Sequence, residues 1–248
     1  MSVSVIEVDD LSKRYDDFYA VDGVSFSVRE NEIFSLVGPN GAGKTTTVEI
    51  LECLREPSSG VVRVLGNDVT EDEGLIKESI GVLPQDFSTF DKLSVRENVG
   101  LMRDVYGDGL GVDEVLESMG LVEFDSTRFQ NLSGGLKRKT GISMALVSDP
   151  DILFLDEPTT GLDPRARRET WERIRELKEM GKTIFLTSHY MDEVKELSDR
   201  AAIMIDGEIE ALDSIDSLIG DYGGEVKIVA GSSDDEVREI LEDGGDEV

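Results

Sequence analysis

Residues 38–46 run Gly38-Pro39-Asn40-Gly41-Ala42-Gly43-Lys44-Thr45-Thr46, a glycine-rich turn that ends in a lysine and two threonines. The stretch from Gly38 to Thr45 fits G-x-x-x-x-G-K-[ST], whose glycines let backbone N–H groups turn inward around phosphate oxygens. Residues 33–37, just before it, are a nearly continuous apolar run, as expected of a parallel strand buried on both faces. Residues 47–54, just after it, read as a helix, and a helix N-terminus adds a favourable dipole for an anion. In such a phosphate loop Lys44 is placed for the β- and γ-phosphates and Thr45 for a hydroxyl contact to Mg²⁺. A glycine-rich turn with a chance lysine does not account for the flanking strand and helix.

On the N-terminal side, Val3, Val5 and Val8, then Val24, Phe26 and Val28, alternate as in half-buried strands. Residues 61–65 and 80–83 are further strands. From Ser94 to Leu146 the pattern turns helical. Ser94 and Glu97 have capping-box spacing, residues 113–119 form another helix, and a third begins near Ser133. Alternation then resumes: strand 152–155, helix 164–180 with Trp171, Ile174 and Leu177 on one face, strand 183–187 and helix 191–197. Residues 201–205 and 208–212 flank Asp206-Gly207, a hairpin signal. The expected architecture is an α/β core with an antiparallel N-terminal β element and a helical insert at roughly 86–145. The tail from Gly220 is rich in glycine and acid, with one apolar stretch at 226–230 and one short amphipathic stretch at Val237, Ile240 and Leu241.

Composition narrows the function classes. At 248 residues and 39% hydrophobic content the chain can bury a substantial core. Its one cysteine, Cys53, cannot form an internal disulfide and reads as apolar packing, and with one histidine a transition-metal site is not expected. Met1-Ser2-Val3-Ser4 lacks the features of a signal peptide, and no apolar run approaches the roughly 18 residues of a spanning helix. The expectation is a protein that is soluble or held to a membrane by something else. The 54 acidic against 25 basic side chains give −29, a surface that repels nucleic acid. Adaptation to a very salty cytosol explains this dispersed acidity better than binding of basic partners, though both readings remain.

Three other segments carry chemistry. Residues 151–157 form a buried strand ending in Asp156 and Glu157; an acid there can hold Mg²⁺, and its neighbour can take a proton from an attacking water. Gln85, after strand 80–83, can donate and accept hydrogen bonds and so suits a place between metal and water. Leu132-Ser133-Gly134-Gly135 opens a helix with a good N-cap and exposed N–H groups, a second anion-binding start. Lys137-Arg138-Lys139 follows, read as a solvated basic face rather than a phosphate contact.

Taken in this order, the segments resemble the nucleotide-binding domain of an ATP-binding cassette (ABC) protein over roughly residues 3–220. Residues 38–45 match the family's Walker A motif, Gln85 its Q-loop glutamine and residues 132–135 its signature. Residues 152–157 match Walker B with the catalytic glutamate, Gly161-Leu162-Asp163 the D-loop, and His189 the switch histidine. Tyr15 lies where the family places an aromatic that stacks on adenine. The resemblance implies a P-loop NTPase (RecA-like) fold over 1–220, with 221–248 as a short acidic extension similar to the start of an accessory domain. It implies Glu157, His189, Lys44 and Gln85 as catalytic residues. Thr45, Gln85 and Asp156 would meet Mg²⁺. ATP would contact Tyr15, Gly38–Thr46 as quoted above, Asp163, and Ser133, Gly134 and Gly135 of a second copy. Residues 159–164 and 187–193 are similar to the ATPase subunits of drug and antibiotic exporters, whose permease is a separate polypeptide. That implies a homodimer at the cytoplasmic face of the membrane. Leu136 departs from the family, which often has glutamine there. Two other readings stand beside this one: a soluble ABC ATPase acting on a macromolecular assembly, and a regulatory subunit without turnover, which the presence of Glu157 and His189 opposes.

Overall fold

The computed structural model describes residues 3–221. The chain opens with β1 (Ser4–Tyr15), β2 (Phe18–Arg29), β3 (Ile33–Val37), α1 (Lys44–Leu51), β4 (Ser59–Val64) and β5 (Asn67–Asp68). Next come α2 (Glu73–Ser79), β6 (Ile80–Leu83), α3 (Val95–Tyr106), α4 (Val112–Ser118), α5 (Gly134–Leu146) and β7 (Ile152–Asp156). It continues through α6 (Pro164–Glu179), β8 (Thr183–Ser188), α7 (Met191–Leu197), β9 (Arg200–Ile205), β10 (Glu208–Ser214) and α8 (Ile215–Asp221). The tail stretches at 226–230 and 237–241 lie outside the described residues.

Two sheets organise the fold. The antiparallel sheet has strand order β2-β1-β4-β5, and the main sheet β10-β9-β3-β8-β7-β6, parallel throughout except for β10. Strands β3 and β8 are buried at every position, the mark of a parallel strand covered on both faces. Parallel register sets Phe34 beside Phe185 and Phe185 beside Phe154. Their rings lie 5.6 and 5.5 Å apart, and Phe26 of β2 stacks on Phe34 at 5.5 Å, so a phenylalanine row joins the two sheets. Residues one step along these strands (Ile33, Leu153, Leu155, Ile184, Leu186) point to the opposite face and pack under α3 to α6. The fold is therefore the expected α/β P-loop architecture, with the helices between β6 and β7 lying on the face away from the antiparallel sheet. Among the described residues no helix is long and apolar enough to cross a membrane.

Local chemistry explains where elements start and stop. The Ser94–Glu97 capping box forms: the Glu97 N–H donates to Ser94 Oγ at 3.2 Å, and the Ser94 N–H to Glu97 Oε2 at 2.7 Å. Asp206 and Gly207 both have positive φ, as a two-residue hairpin turn requires. Helix α1 begins at Lys44, three residues earlier than expected, because Gly43 already makes the left-handed turn into it. It also ends early, at Leu51, where Cys53 takes φ 55° and the N–H groups of Leu54 and Arg55 fold back onto the Glu49 carbonyl. Val3 is exposed rather than inward, and the alternation of β1 slips after Val8 at a bulge where Asp10 has φ 52°, so that Leu11 becomes the next buried apolar residue. Helices α2 and α8 and the two-residue β5 carry no periodicity long enough to have been read.

Two consequences for stability follow. A Cβ on Gly81 of β6 would lie 2.2 Å from the Ala145 carbonyl oxygen of α5, whereas one on Gly74 of α2 would meet nothing within 4 Å. Gly81→Ala should therefore lower stability by about 1–3 kcal/mol, and Gly74→Ala should raise it by up to about 1 kcal/mol, in urea unfolding. Glu52, buried at the end of α1, has its carboxyl pushed up to about 8 by burial and then by Asp156 and Glu49. A raised folded pKa means the native state holds a proton that the unfolded chain releases from about pH 4.5 upward. Stability is thus lost as pH rises towards 8, and Glu52→Gln should show a growing stability advantage over wild type across that window.

Candidate nucleotide site

Four adjacent parallel strands end on one edge, and each delivers a segment singled out from the sequence. Gly38 follows β3, His189 follows β8, Glu157 follows β7, and Gln85 stands two residues beyond β6. Ligands in open α/β sheets bind outside these carboxyl ends. A cavity of about 410 Å³ opens there, lined among others by Tyr15, Asn40, Lys44, Thr45, Gln85 and Glu157.

The phosphate loop is held by main chain. A Cβ on Gly43, whose φ is 103°, would lie 2.3 Å from the Ala20 carbonyl oxygen of β2, so only glycine fits. The Gly207 N–H donates to the Ala42 carbonyl at 3.1 Å, and the Asp22 N–H to the Gly207 carbonyl at 2.9 Å. Lys44 is buried and donates to the carbonyls of Gly38 and Pro39 at 2.7 and 2.9 Å. Burial lowers its pKa, an effect opposed by the nearby Glu157 and Asp156 charges. Gly41, Gly43, Thr45 and Thr46 line the cavity, while Gly38, Pro39 and Ala42 form the loop's back.

Glu157 is the hub. Its carboxylate accepts from Gln85 Nε2 at 3.2 Å, from the Thr160 hydroxyl at 2.9 Å and from His189 Nδ1 at 3.0 Å. An ionised carboxylate can only accept, so Nδ1 is the donor in this contact. The Thr187 hydroxyl accepts from the Glu157 N–H at 3.0 Å and donates to the Asp156 carboxylate, so β8 sets both acids of β7. Burial raises the Asp156 pKa most; the Thr187 hydrogen bond works against it. Among the described residues no three acids, histidines or cysteines cluster to hold a metal by themselves. Thr45, Gln85 and Asp156 nonetheless suit Mg²⁺, which is held by one or two carboxylates with substrate phosphates completing the shell.

Ser133, Gly134 and Gly135, expected to serve the nucleotide of a second copy, do not line this cavity, and neither does Asp163. Ser133 caps α5, accepting from the Leu136 N–H at 3.3 Å; a Cβ on Gly134 would face Leu162 at 3.5 Å, and one on Gly135 would meet Ala166. The signature thus sits against the start of α6. Asp163 caps α6, its Oδ1 accepting from the N–H groups of Arg165 and Ala166 at 3.0 and 2.9 Å. Leu136, the departure from the family pattern, packs partly buried against the helical core.

The basic run does not form a solvated face. Lys139 is buried and paired with Glu169 at 3.2 Å, Lys137 lies over the Phe129 ring, and Arg138 points into the sheet edge. Apolar neighbours three and four residues along α5 were the available sign that this side of the helix is covered. Residues beyond those read from the sequence are Phe18 and Ala20 in the cavity wall, Thr160, Thr187 and Arg138. Phe18 follows Tyr15 across a two-residue turn, a proximity that only the hairpin reveals. The Tyr15 ring carries cations, Lys13 at 5.5 Å and Arg55 at 5.4 Å.

Comparison with known proteins agrees with this geometry. A family model described as ABC transporter matches residues 21–160. The Nod factor export ATP-binding protein I of Burkholderia orbicola (strain AU 1054) is 41% identical over 212 residues, 84% of this chain and 70% of that protein. The daunorubicin resistance ATP-binding protein DrrA3 of Streptomyces coeruleorubidus is 36% identical over 91% of this chain and 73% of its own length. A solved ATP-binding subunit of an ABC transporter superposes with TM-score 0.77 at 28% identity, covering 96% of this chain and 99% of that one. A dimeric cassette bound to ADP and Pi, MJ0796, superposes with TM-score 0.74 at 26% identity over 85% of this chain and 98% of its own. On these likenesses the chain belongs to the ABC transporter family, as an ATP-binding subunit with ATPase activity.

Proposed function

We propose that two copies of this chain bind two ATP–Mg²⁺ head to tail and that their closing and opening drives a separate transmembrane permease of an exporter. The observation that carries this is the location of Ser133, Gly134 and Gly135. They form a capped helix start with N–H groups free for an anion, yet they face α6 and not the cavity of their own chain. A second copy would supply them to the opposite nucleotide, with Asp163 at the same seam. The relatives named for Nod factor export and daunorubicin resistance support an export role, and the dimeric MJ0796 cassette supports the pairing. We assign the ATPase domain to 1–220, its helical part to 86–145, and the position to the cytoplasmic membrane face, with no role for nucleic acid.

Hydrolysis needs a base, a held phosphate and charge compensation. Lys44 would exchange the Gly38 and Pro39 carbonyls for β- and γ-phosphate oxygens, aided by the N–H groups of residues 40–46. Tyr15 would stack on adenine. Thr45, Asp156 and Gln85 would hold Mg²⁺, which when bound neutralises charge on the phosphate oxygens. Glu157 accepts two donors on Oε2 and one on Oε1, so Oε1 keeps a lone pair for a water proton. Gln85 makes the longest of the three bonds and would turn towards the metal. His189 stays on Glu157 through Nδ1 and offers its other edge to the γ-phosphate, which requires a proton on Nε2 as well.

The tests separate these parts. Glu157→Gln should keep ATP affinity and lose about 10²–10⁴-fold in turnover, measured by phosphate release. His189→Ala should likewise bind ATP with near wild-type affinity and lose most turnover; if turnover survives, the histidine is structural. Affinity purification from native membranes should recover a polytopic subunit, whereas recovery of soluble assemblies alone would favour the other class of ABC ATPase. The −29 charge supports a salt-adapted protein; its melting temperature should rise steeply between 0.1 and about 2 M KCl as screening relieves self-repulsion.

A further inference from the structure

Arg138 lies on α5, five residues past the Ser133 cap, and its guanidinium is spent entirely on main-chain carbonyls. Nε donates to Pro158 O at 2.9 Å; Nη1 donates to Pro84 O and Gln85 O, both at 3.1 Å. Nη2 donates to Asp156 O and to Glu157 O, the latter at 2.8 Å. An arginine has five N–H donors, and here five carbonyls take them. None is left over for a phosphate, which removes the reading of this residue as a nucleotide contact.

The carbonyls belong to two separate segments. Pro84 and Gln85 leave the end of β6, and Asp156, Glu157 and Pro158 leave the end of β7. One planar group therefore spans the backbone bearing Gln85 and the backbone bearing Glu157, whose side chains also meet at 3.2 Å. Glu157 has φ 46°, a left-handed conformation uncommon for a non-glycine residue, and its own carbonyl is one of those held. The group is also deeply enough enclosed that burial lowers its pKa, against the raising effect of Asp156, Glu193 and Glu157.

We propose that Arg138 is a positioning residue for ATP hydrolysis: it fixes the Gln85 and Glu157 backbones to the helix that begins at the signature Ser133. Through it, engagement of Ser133 to Gly135 by one nucleotide is transmitted to the acid that serves the other nucleotide, within a single chain. A lysine cannot replace it, since an ammonium offers three donors from one point and cannot bridge two strands' carbonyls in a plane. The inference rests on the assignment of Glu157 as the base.

The experiment compares Arg138→Ala, Arg138→Lys and Glu157→Gln in purified protein, reading kcat and KM for ATP together with the melting temperature. Both Arg138 variants should lose about 10²-fold in kcat, the cost of a small misplacement, while KM stays within a few-fold of wild type. Methylguanidinium at millimolar concentration should restore a measurable part of kcat to Arg138→Ala and none to Arg138→Lys, whose side chain fills the site. A purely structural arginine would instead lower the melting temperature and KM-determined binding together, without chemical rescue, and that result overturns the proposal. So does a kcat within twofold of wild type for Arg138→Ala. If Glu157→Gln itself turns over normally, the assignment of the base has failed, a distinct outcome from failure of the Arg138 link.

Discussion

A parallel sheet brings the carboxyl ends of its strands to one edge, and the carbonyls leaving that edge need donors that the strand ladder no longer supplies. In this molecule two cations at the edge, Lys44 and Arg138, meet that need. Lys44 takes the carbonyls of Gly38 and Pro39 beyond β3, and Arg138 takes five beyond β6 and β7. The carboxylates of Asp156 and Glu157 are then bonded by hydroxyl, amide and imidazole groups. Such partners are weaker and more easily exchanged than a fork of charged hydrogen bonds. The acids are held in place and still able to change partners, which is what a metal ligand and a base both need.

The same economy explains how the two faces of the sheet divide their tasks. The phenylalanine row of Phe26, Phe34, Phe185 and Phe154 ties the antiparallel sheet to the parallel one and fixes Tyr15 and Ala20 beside the phosphate loop. The opposite face carries α3 to α6, and α5 reaches from that face to the catalytic edge through Arg138. Gly81 and Gly141 let it come close enough to do so, since a Cβ on either would collide with α5, Leu83 or Phe87.

Most of this was legible from residues close in sequence. The runs at 33–37 and 183–187 announce strands covered on both sides, Ser94 and Glu97 announce a helix start, and the phosphate loop carries its own geometry. Contacts between distant residues were not legible. Thr187 reads as one more β-branched residue in an apolar strand, yet parallel register puts it opposite Asp156, 31 residues away. Arg138 reads as part of a charged run, because nothing in Lys137-Arg138-Lys139 says which of three cations faces inward. The early start of α1 and the slip of β1 were hidden for a different reason: each depends on one residue's positive φ, at Gly43 and at Asp10, which composition does not specify.

The seat of the phosphate loop has a consequence for how such a chain can diverge. Ala20, Asp22, Ala42 and Gly207 meet there through N–H and carbonyl groups, and Gly43 is held by the absence of a side chain. Backbone atoms are the same in every amino acid. Apart from the glycines at 38, 43 and 207 and the Thr47 hydroxyl on the Gly43 carbonyl, this seat rests on backbone groups, so its other side chains can drift while the surface takes on whatever charge the surroundings favour. A shape kept by main chain and by missing side chains can outlast most of the sequence that first produced it, as the overlay at 28% identity with a TM-score of 0.77 illustrates.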